Sequence, residues 1–355
     1  MEKNLPELSA YKCTIKLRTP VDTPFESDIL WGCMIWALKY FYGEKKVEET
    51  IAEYSKNPPL ILSDGFPHDH LPKPLYDIKS EKLEKLYTTC NNINPDRIIK
   101  IFKNIINRTL LPYNLVKTIL KEPDKLLSTI KNCLECYICP LSLLPVKKIK
   151  KYELIDVIKK TCTVKNCFLL TGNSQRECKK ITTSLPSLYD FKRQKGELWD
   201  IYLLSLWEKE LILEILTFIG HNGYGKNTTY GKGAFSIEYL NMLDFKERID
   251  TYSGEENGFM TLSSSYIPVP GEIEDVIDSR YKLLIKIGKL GGHWTSTENF
   301  FKYPLAMCRA GSIFPASPGT KSFWGQILKG VHPEHEKIVQ YGLAFPMWGN
   351  FFEKR

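Results

Sequence analysis

Gly220-His-Asn-Gly-Tyr-Gly-Lys-Asn-Thr-Thr-Tyr-Gly-Lys-Gly-Ala-Phe-Ser-Ile237 is the stretch from which the fold can be read. Upstream, Leu211-Ile-Leu-Glu-Ile-Leu-Thr-Phe-Ile219 looks helical. Downstream, Ala234-Phe-Ser-Ile-Glu-Tyr-Leu240 alternates in strand fashion. A helix, a glycine-rich loop and a strand thus follow one another. Gly220, Gly223, Gly225, Gly231 and Gly233 fall within fourteen residues, interleaved with Tyr224, Lys226, Tyr230 and Lys232. Without a Cβ, such a backbone can take positive φ and bring its N–H groups to a polyanion. Lysines add charge against phosphate, and tyrosines offer faces on which bases stack. The chemistry is that of phosphate or nucleic-acid binding; the alternative is an unliganded surface loop. Gly220-x-x-x-x-Gly225-Lys226 nearly spells a nucleotide-binding loop, but Asn227 stands where a magnesium-liganding Ser or Thr is needed. Such a loop also follows a strand and opens a helix, the reverse of the order here.

The 355 residues allow two ordinary domains, and 43% hydrophobic content is enough for packed cores. No run of eighteen apolar residues occurs, and Met1-Glu-Lys-Asn-Leu-Pro lacks a signal segment. The expectation is a soluble, cytoplasmic protein with no membrane partner. Its ten cysteines then read as reduced thiols, and no cofactor is called for. Net charge is +8, and it is uneven. From 91 to 195 there are 21 Lys and Arg against 8 Asp and Glu, while the remainder holds 28 against 33. One third of the chain therefore carries a field that would attract a phosphate backbone.

Tyr11-Lys-Cys-Thr-Ile-Lys-Leu-Arg18 alternates as a half-buried strand does. After the turn-rich Thr19 to Glu26, Ser27 or Asp28 is expected to cap an apolar helix, Ile29 to Tyr42, closed by Gly43 in left-handed geometry. Glu44 to Lys56 reads as a short surface helix, and Pro58 to Leu62 as a buried strand. Ser63 to His70 and Leu71-Pro-Lys-Pro74 read as an extended loop suited to docking. In it, His68-Asp69-His70 is a candidate metal ligand set or acid–base group, with a simple loop as the alternative. A strand–loop–helix opening starts a ferredoxin-like unit. Glu197 to Leu206 reads as a strand, and the last hundred residues as mostly β, with strands at 259–263, 281–288, 303–308 and 337–345. The fold class is α+β. Two ferredoxin-like units are expected at 1–95 with 197–240 and at 241–355, with a basic, largely helical insertion at 96–196.

Within the insertion, Cys133-x-x-Cys136-x-x-Cys139-Pro140 resembles the start of an iron–sulfur run. Leu143 replaces the fourth cysteine. Cys162, Cys167 or Cys178 could complete a thiolate site, and packed thiols are the alternative. Arg176, Lys179, Lys180, Lys192 and Arg193 mark a basic segment that could protrude as a hairpin.

Four patches in order carry a family resemblance: Thr19-Pro with Ser27-Asp-Ile-Leu-Trp-Gly32 and Trp36-Ala-Leu38; Ser63-Asp with Phe66-Pro67 and Leu71 to Pro74; Gly220 to Phe235; and Gly291-Gly-His-Trp-Thr-Ser296 with Gly311-Ser312 and Tyr341-Gly-Leu-Ala-Phe345. They resemble the RAMP superfamily of CRISPR effector complexes, and within it the subunits that cap the crRNA 5′ end in type III-A (Csm) complexes. The resemblance implies a noncatalytic RNA-binding subunit. It would hold the repeat-derived 5′ tag and contact a large palm-domain subunit on one side and a backbone RAMP subunit on the other. By position, Ser27, Asp28, Gly32 and the loop Gly223, Tyr224, Gly225, Lys226, Asn227, Thr228, Thr229, Tyr230, Gly231, Lys232 and Gly233 would line the tag groove. The basic hairpin would be the thumb, reaching target RNA at the first guide–target pairs. The rival enzyme is a metal-independent repeat-RNA endonuclease with His221 as general base. Asp22 occupies a loop in which backbone subunits carry a cleaving aspartate; here it reads as a turn residue.

Overall fold

A computed structural model describes residues 8–76, 109–122, 195–244, 249–273, 278–292, 294 and 298–352. Two compact units divide the chain, Met1–Asp69 with Lys192–Arg355, and His70–Phe191.

The first unit starts with the expected strand, β1 (Ser9–Leu17), whose Tyr11, Cys13, Ile15 and Leu17 are buried. Helix α1 (Ser27–Glu53) follows, then β2 (Leu60–Pro67). Later come β5 (Leu198–Ser205), α3 (Lys209–Asn222) and β6 (Phe235–Met242). These four strands form one sheet in the order β2-β5-β1-β6, every neighbouring pair antiparallel. Helix α3 packs against β6 and against α1. Ile212, Ile215, Leu216 and Ile219 recur at helical spacing and are its buried face.

Three details depart from the sequence reading. The residue preceding α1 is Glu26, with no side-chain cap, because Ser27 and Asp28 spend their side chains elsewhere. Gly43 breaks the helix at φ +82, ψ 177, a kink and not a left-handed stop, and the helix resumes through the segment expected to be separate. The expected docking loop after Leu62 is strand instead. At Ser63–Asp64 the register with β5 shifts. Asp64 turns to the C-terminal segment, its N–H donating to Leu262 O at 2.8 Å, while Ser63 Oγ accepts from Tyr202 N–H of β5 at 2.9 Å. All eight residues of β2 are buried as a result.

The rest of this unit is β7 (Gly258–Thr261), β8 (Leu283–Lys289), β9 (Phe301–Cys308), β10 (Ile313–Pro315), β11 (Gly325–Leu328), β12 (Gln340–Leu343) and β13 (Pro346–Gly349). They make a three-stranded sheet β10-β7-β13 and the pairs β11-β12 and β8-β9. Phe259, Tyr266, Phe314, Trp324 and Trp348 supply its aromatic core. The expected strand at 337–345 is shorter. At Ala344, whose N–H donates to Trp324 O, the chain leaves β11 and then pairs with β7. Tyr341 fastens these sheets to β2 and α1: its hydroxyl accepts from Leu62 N–H at 2.9 Å, and its ring stacks on Trp31 at 5.6 Å.

In the second unit, β3 (His70–Pro72) pairs with β4 (Leu110–Pro112), and α2 (Tyr113–Lys121) buries Leu115, Val116, Ile119 and Leu120. Most of the basic segment, including Cys133, Cys136, Cys139 and the thumb candidates Arg176, Lys179, Lys180, Lys192 and Arg193, lies outside the described residues.

Candidate nucleic-acid interface

Between α3 and β6 the glycine loop closes on itself and on the β1–α1 connection. Tyr224 N–H donates to Gly233 O at 2.9 Å, and Gly233 N–H donates to Pro20 O at 3.0 Å. Lys226 N–H reaches Thr23 Oγ1 at 2.8 Å, and Ala234 N–H reaches Thr19 Oγ1 at 2.9 Å. A Cβ on Gly233 (φ +83) would lie 2.2 Å from Tyr224 O, and one on Gly225 (φ +82) 2.4 Å from Thr23 Oγ1. Those two glycines exist for close backbone approach within the protein. Gly231 (φ +74) has nothing within 4 Å of such a Cβ.

Each candidate residue has a definite place. Tyr224 is fully buried, stacked on Phe25 at 4.7 Å with its hydroxyl donating to Pro24 O. It pins the base of the loop and offers no face to a nucleotide, contrary to the stacking role expected of it. Lys232 Nζ lies 2.7 Å from Asp22 Oδ2, which also accepts from Asn227 Nδ2 at 2.7 Å. Asp22 is thus a fastening turn residue, as expected, and it neutralises one of the two loop lysines.

The outer tip remains. Lys226 is exposed and has no ion pair among the described residues. Tyr230 is 84% exposed. Asn227 holds φ +63 ahead of the 3-10 turn Thr228–Tyr230. The N–H groups of Asn227, Thr228 and Thr229 make no hydrogen bond among the described residues. Three successive amides, a lysine and a solvent-facing ring are therefore presented together.

The start of α1 lies beside the loop. The Gly225 N–H faces Cys33 Sγ, and burial pushes that thiol up to about 12. Ser27 is fully buried; its N–H donates to Asp64 Oδ1 at 2.9 Å and its hydroxyl meets Ser265 Oγ at 2.7 Å. Asp28 accepts from Lys286 Nζ at 2.7 Å and from Gln340 Nε2 at 2.9 Å. Both side chains are thus committed inside the protein. Gly32 has open space where a Cβ would stand. His221 is exposed in the last turn of α3, and no acid or base pairs with it among the described residues.

A second polar cluster sits across the sheet. Asp200 on β5 accepts from His68 Nδ1 at 2.9 Å, Thr14 Oγ1 at 2.7 Å and the Asp69 N–H at 3.0 Å, with Lys12 Nζ at 3.0 Å. Burial alone would raise the Asp200 carboxyl, but these donors hold it down at about 2, and the same hydrogen bond raises His68. Ligand atoms of His68, Asp69 and Asp200 lie within 4.8 Å of one another. The Lys12 ammonium already supplies the cation there, so the arrangement is an ion-pair latch between β1, β5 and the turn that follows β2. The expected metal triplet included His70; the structure brings in Asp200 instead, more than a hundred residues away. Nothing local in the sequence marks Asp200, one polar residue inside an apolar strand.

No family model matches the chain. A curated protein described as CRISPR system Cms protein Csm4, from Streptococcus thermophilus, is 25% identical over 122 residues, 34% of this chain and 38% of that one. The chain therefore spans well under half the length of that relative. A chain of the Csm3–Csm4 subcomplex in the type III-A CRISPR-Cas interference complex matches with TM-score 0.50 and 14% identity, covering 95% of this chain and 99% of that chain. A chain of the Csm1–Csm4 cassette in complex with cA3 matches with TM-score 0.45 and 16% identity, covering 98% and 100%. Among the described residues no helix is long and apolar enough to cross a membrane. The resemblance drawn from the motifs is thereby shown: this chain is similar to the Csm4 subunits of type III-A CRISPR systems.

Proposed function

We propose that this chain is a noncatalytic RNA-binding subunit of a type III-A CRISPR effector complex. It grips the repeat-derived 5′ tag of crRNA at the tip of the glycine loop and bridges a large palm-domain subunit to the first backbone subunit. The observation that carries the reading is the tip itself, where the Asn227, Thr228 and Thr229 amides, unbonded among the described residues, stand beside exposed Lys226 and Tyr230 above a base locked by Tyr224, Gly233 and Asp22. Amides and ammonium suit a phosphate, and the tyrosine suits an unpaired base. The β1–α1–β2–β5–α3–β6 order is ferredoxin-like, an arrangement that places this loop at the entrance to the last strand. The C-terminal sheets, proposed as the second unit of that kind, show no α-helix among their described residues. Among the described residues His221 has no partner with which to share a proton, and the reading is therefore of RNA held without cleavage.

The test is fluorescence anisotropy with a labelled single-stranded repeat RNA, read across a salt series. Lys226→Ala should weaken binding several-fold and lower the salt slope by about 1. Tyr230→Ala should weaken it by about tenfold, the cost of about one stacked base. The RNA should remain intact throughout. Unchanged affinity and slope in both variants would remove the loop from the interface, and cleavage abolished by His221→Ala would replace the reading with the nuclease.

A further inference from the structure

The β8–β9 ribbon is apolar on both faces, one of them turned outward. Cross-strand pairs Ile285↔Ala306 and Ile287↔Pro304 share a face with Leu283 and Phe301, and that face is turned to solvent. Leu283 is 57% exposed, Ile285 73%, Ile287 55% and Phe301 41%. The opposite face turns Leu284, Leu305 and Met307 inward together with two lysines. Lys286 Nζ lies 2.7 Å from both Glu26 and Asp28, and Lys302 Nζ donates to Val339 O and to Gln340 Oε1. An ordinary half-buried ribbon puts its apolar residues against the core and its lysines in water. Here the ion pairs clamp the inner face, so the ribbon cannot turn over to hide the outer one.

We propose that this outer face docks a second protein subunit, one presenting an apolar centre ringed by acidic groups. Taking about 200 Å² for a side chain of this size, the four exposed residues present about 450 Å² of apolar surface. That is within the ~300–600 Å² found for the largest patch on a monomer, and a little over half of the ~800 Å² that one side of a stable interface contributes. Exposed Lys282, Lys289 and Arg309 stand at its ends, none in a salt bridge among the described residues. A basic rim selects an acidic partner rim and disfavours a second copy of a chain that is itself at +8. RNA is a poorer occupant because Leu283, Ile285 and Ile287 at the centre offer neither a stacking ring nor a hydrogen bond.

The inference rests on the proposed membership in a Csm-type complex only for its probes, a Csm1 and a Csm3 protein. The full-length chain, as wild type, Ile285→Glu/Ile287→Glu and Ile285→Thr/Ile287→Thr, is titrated with each purified probe by calorimetry. Light scattering gives the mass and a thermal melt gives the fold. The threonine pair keeps β-branching, so the strands survive if glutamate disturbs them. We expect both variants to melt like wild type, because the residues face outward. One probe should lose affinity, about 100-fold for the glutamate pair and at least tenfold for the threonine pair, and the other probe should bind as before. Equal affinity of wild type and threonine variant for both probes overturns the docking face. So does a wild-type dimer that the substitutions dissolve, or a loss confined to RNA binding. Failure of wild type itself to bind either probe would instead refute the complex membership proposed above.

Discussion

Two glycines two residues apart in the same loop should respond very differently to a single methyl group. Gly231→Ala and Gly233→Ala both place a side chain at positive φ, which costs about 1–2 kcal/mol for a non-glycine residue. At Gly231 there is open space, so that cost is the whole effect. At Gly233 the new Cβ would stand 2.2 Å from Tyr224 O and 2.6 Å from Tyr224 N. That is about 1 Å or more short of ordinary contact, and the neighbour is backbone that cannot swing aside. Relieving it separates Tyr224 N–H from Gly233 O and Gly233 N–H from Pro20 O, each worth about 1 kcal/mol net. It also shifts the buried Tyr224 ring off Phe25. Gly233→Ala should therefore cost about 3–5 kcal/mol in all, against about 1–2 for its neighbour. Urea denaturation at constant m measures both, through the midpoint. Equal destabilisation of the two variants would show that the loop is not anchored at its base as described.

Acid and alkali should act on different carboxylates. Asp200, held at about 2, stays ionised where the unfolded chain already binds a proton, so stability should fall as pH drops from about 4 to 2. Asp200→Asn should flatten that limb of a pH-dependent melt and lower stability at neutral pH. His68, raised by the same bond, adds stability present below about 6.5 and lost as pH climbs through its folded value. Asp64 behaves oppositely: burial, partly offset by N–H donors from Ser264 and Ser27, pushes it up to about 6. Stability should decline between about pH 4 and 6 by roughly 2–3 kcal/mol on its account, and Asp64→Asn should abolish that decline while keeping an acceptor oxygen. Lys286→Met leaves Glu26 and Asp28 facing each other with little solvent. It should cost about 3 kcal/mol in the same denaturation assay, and a loss below ~1 would mean the clamp on the ribbon is unimportant.

Much of the sheet was legible because its residues obey local rules. Tyr11 to Leu17 alternate, Leu211 to Ile219 repeat at helical spacing, and the turn between α3 and β6 is spelled in glycine. What escaped the reading was decided at long range. Ser27 looks like a helix cap until Ser265, distant in sequence, takes its hydroxyl. Ser63-Asp64 looks like a loop until Leu262 and Ser264 supply partners. Tyr224 and Tyr230 are chemically identical in the sequence, and only the position of Phe25 and Pro24 assigns one to the core and leaves the other to solvent. In the β8–β9 ribbon, alternation gave the strands but could not say which face is inside, since both faces carry apolar residues.

The central claim is that the loop tip touches the leading nucleotides of the guide. Placing 4-thiouridine in the 5′ tag of a repeat RNA, irradiating the complex and sequencing the crosslinked peptide by mass spectrometry tests it directly. The account predicts attachment within Lys226 to Tyr230, lost with Tyr230→Ala. Attachment confined to another segment, with the loop peptide unmodified, would contradict it.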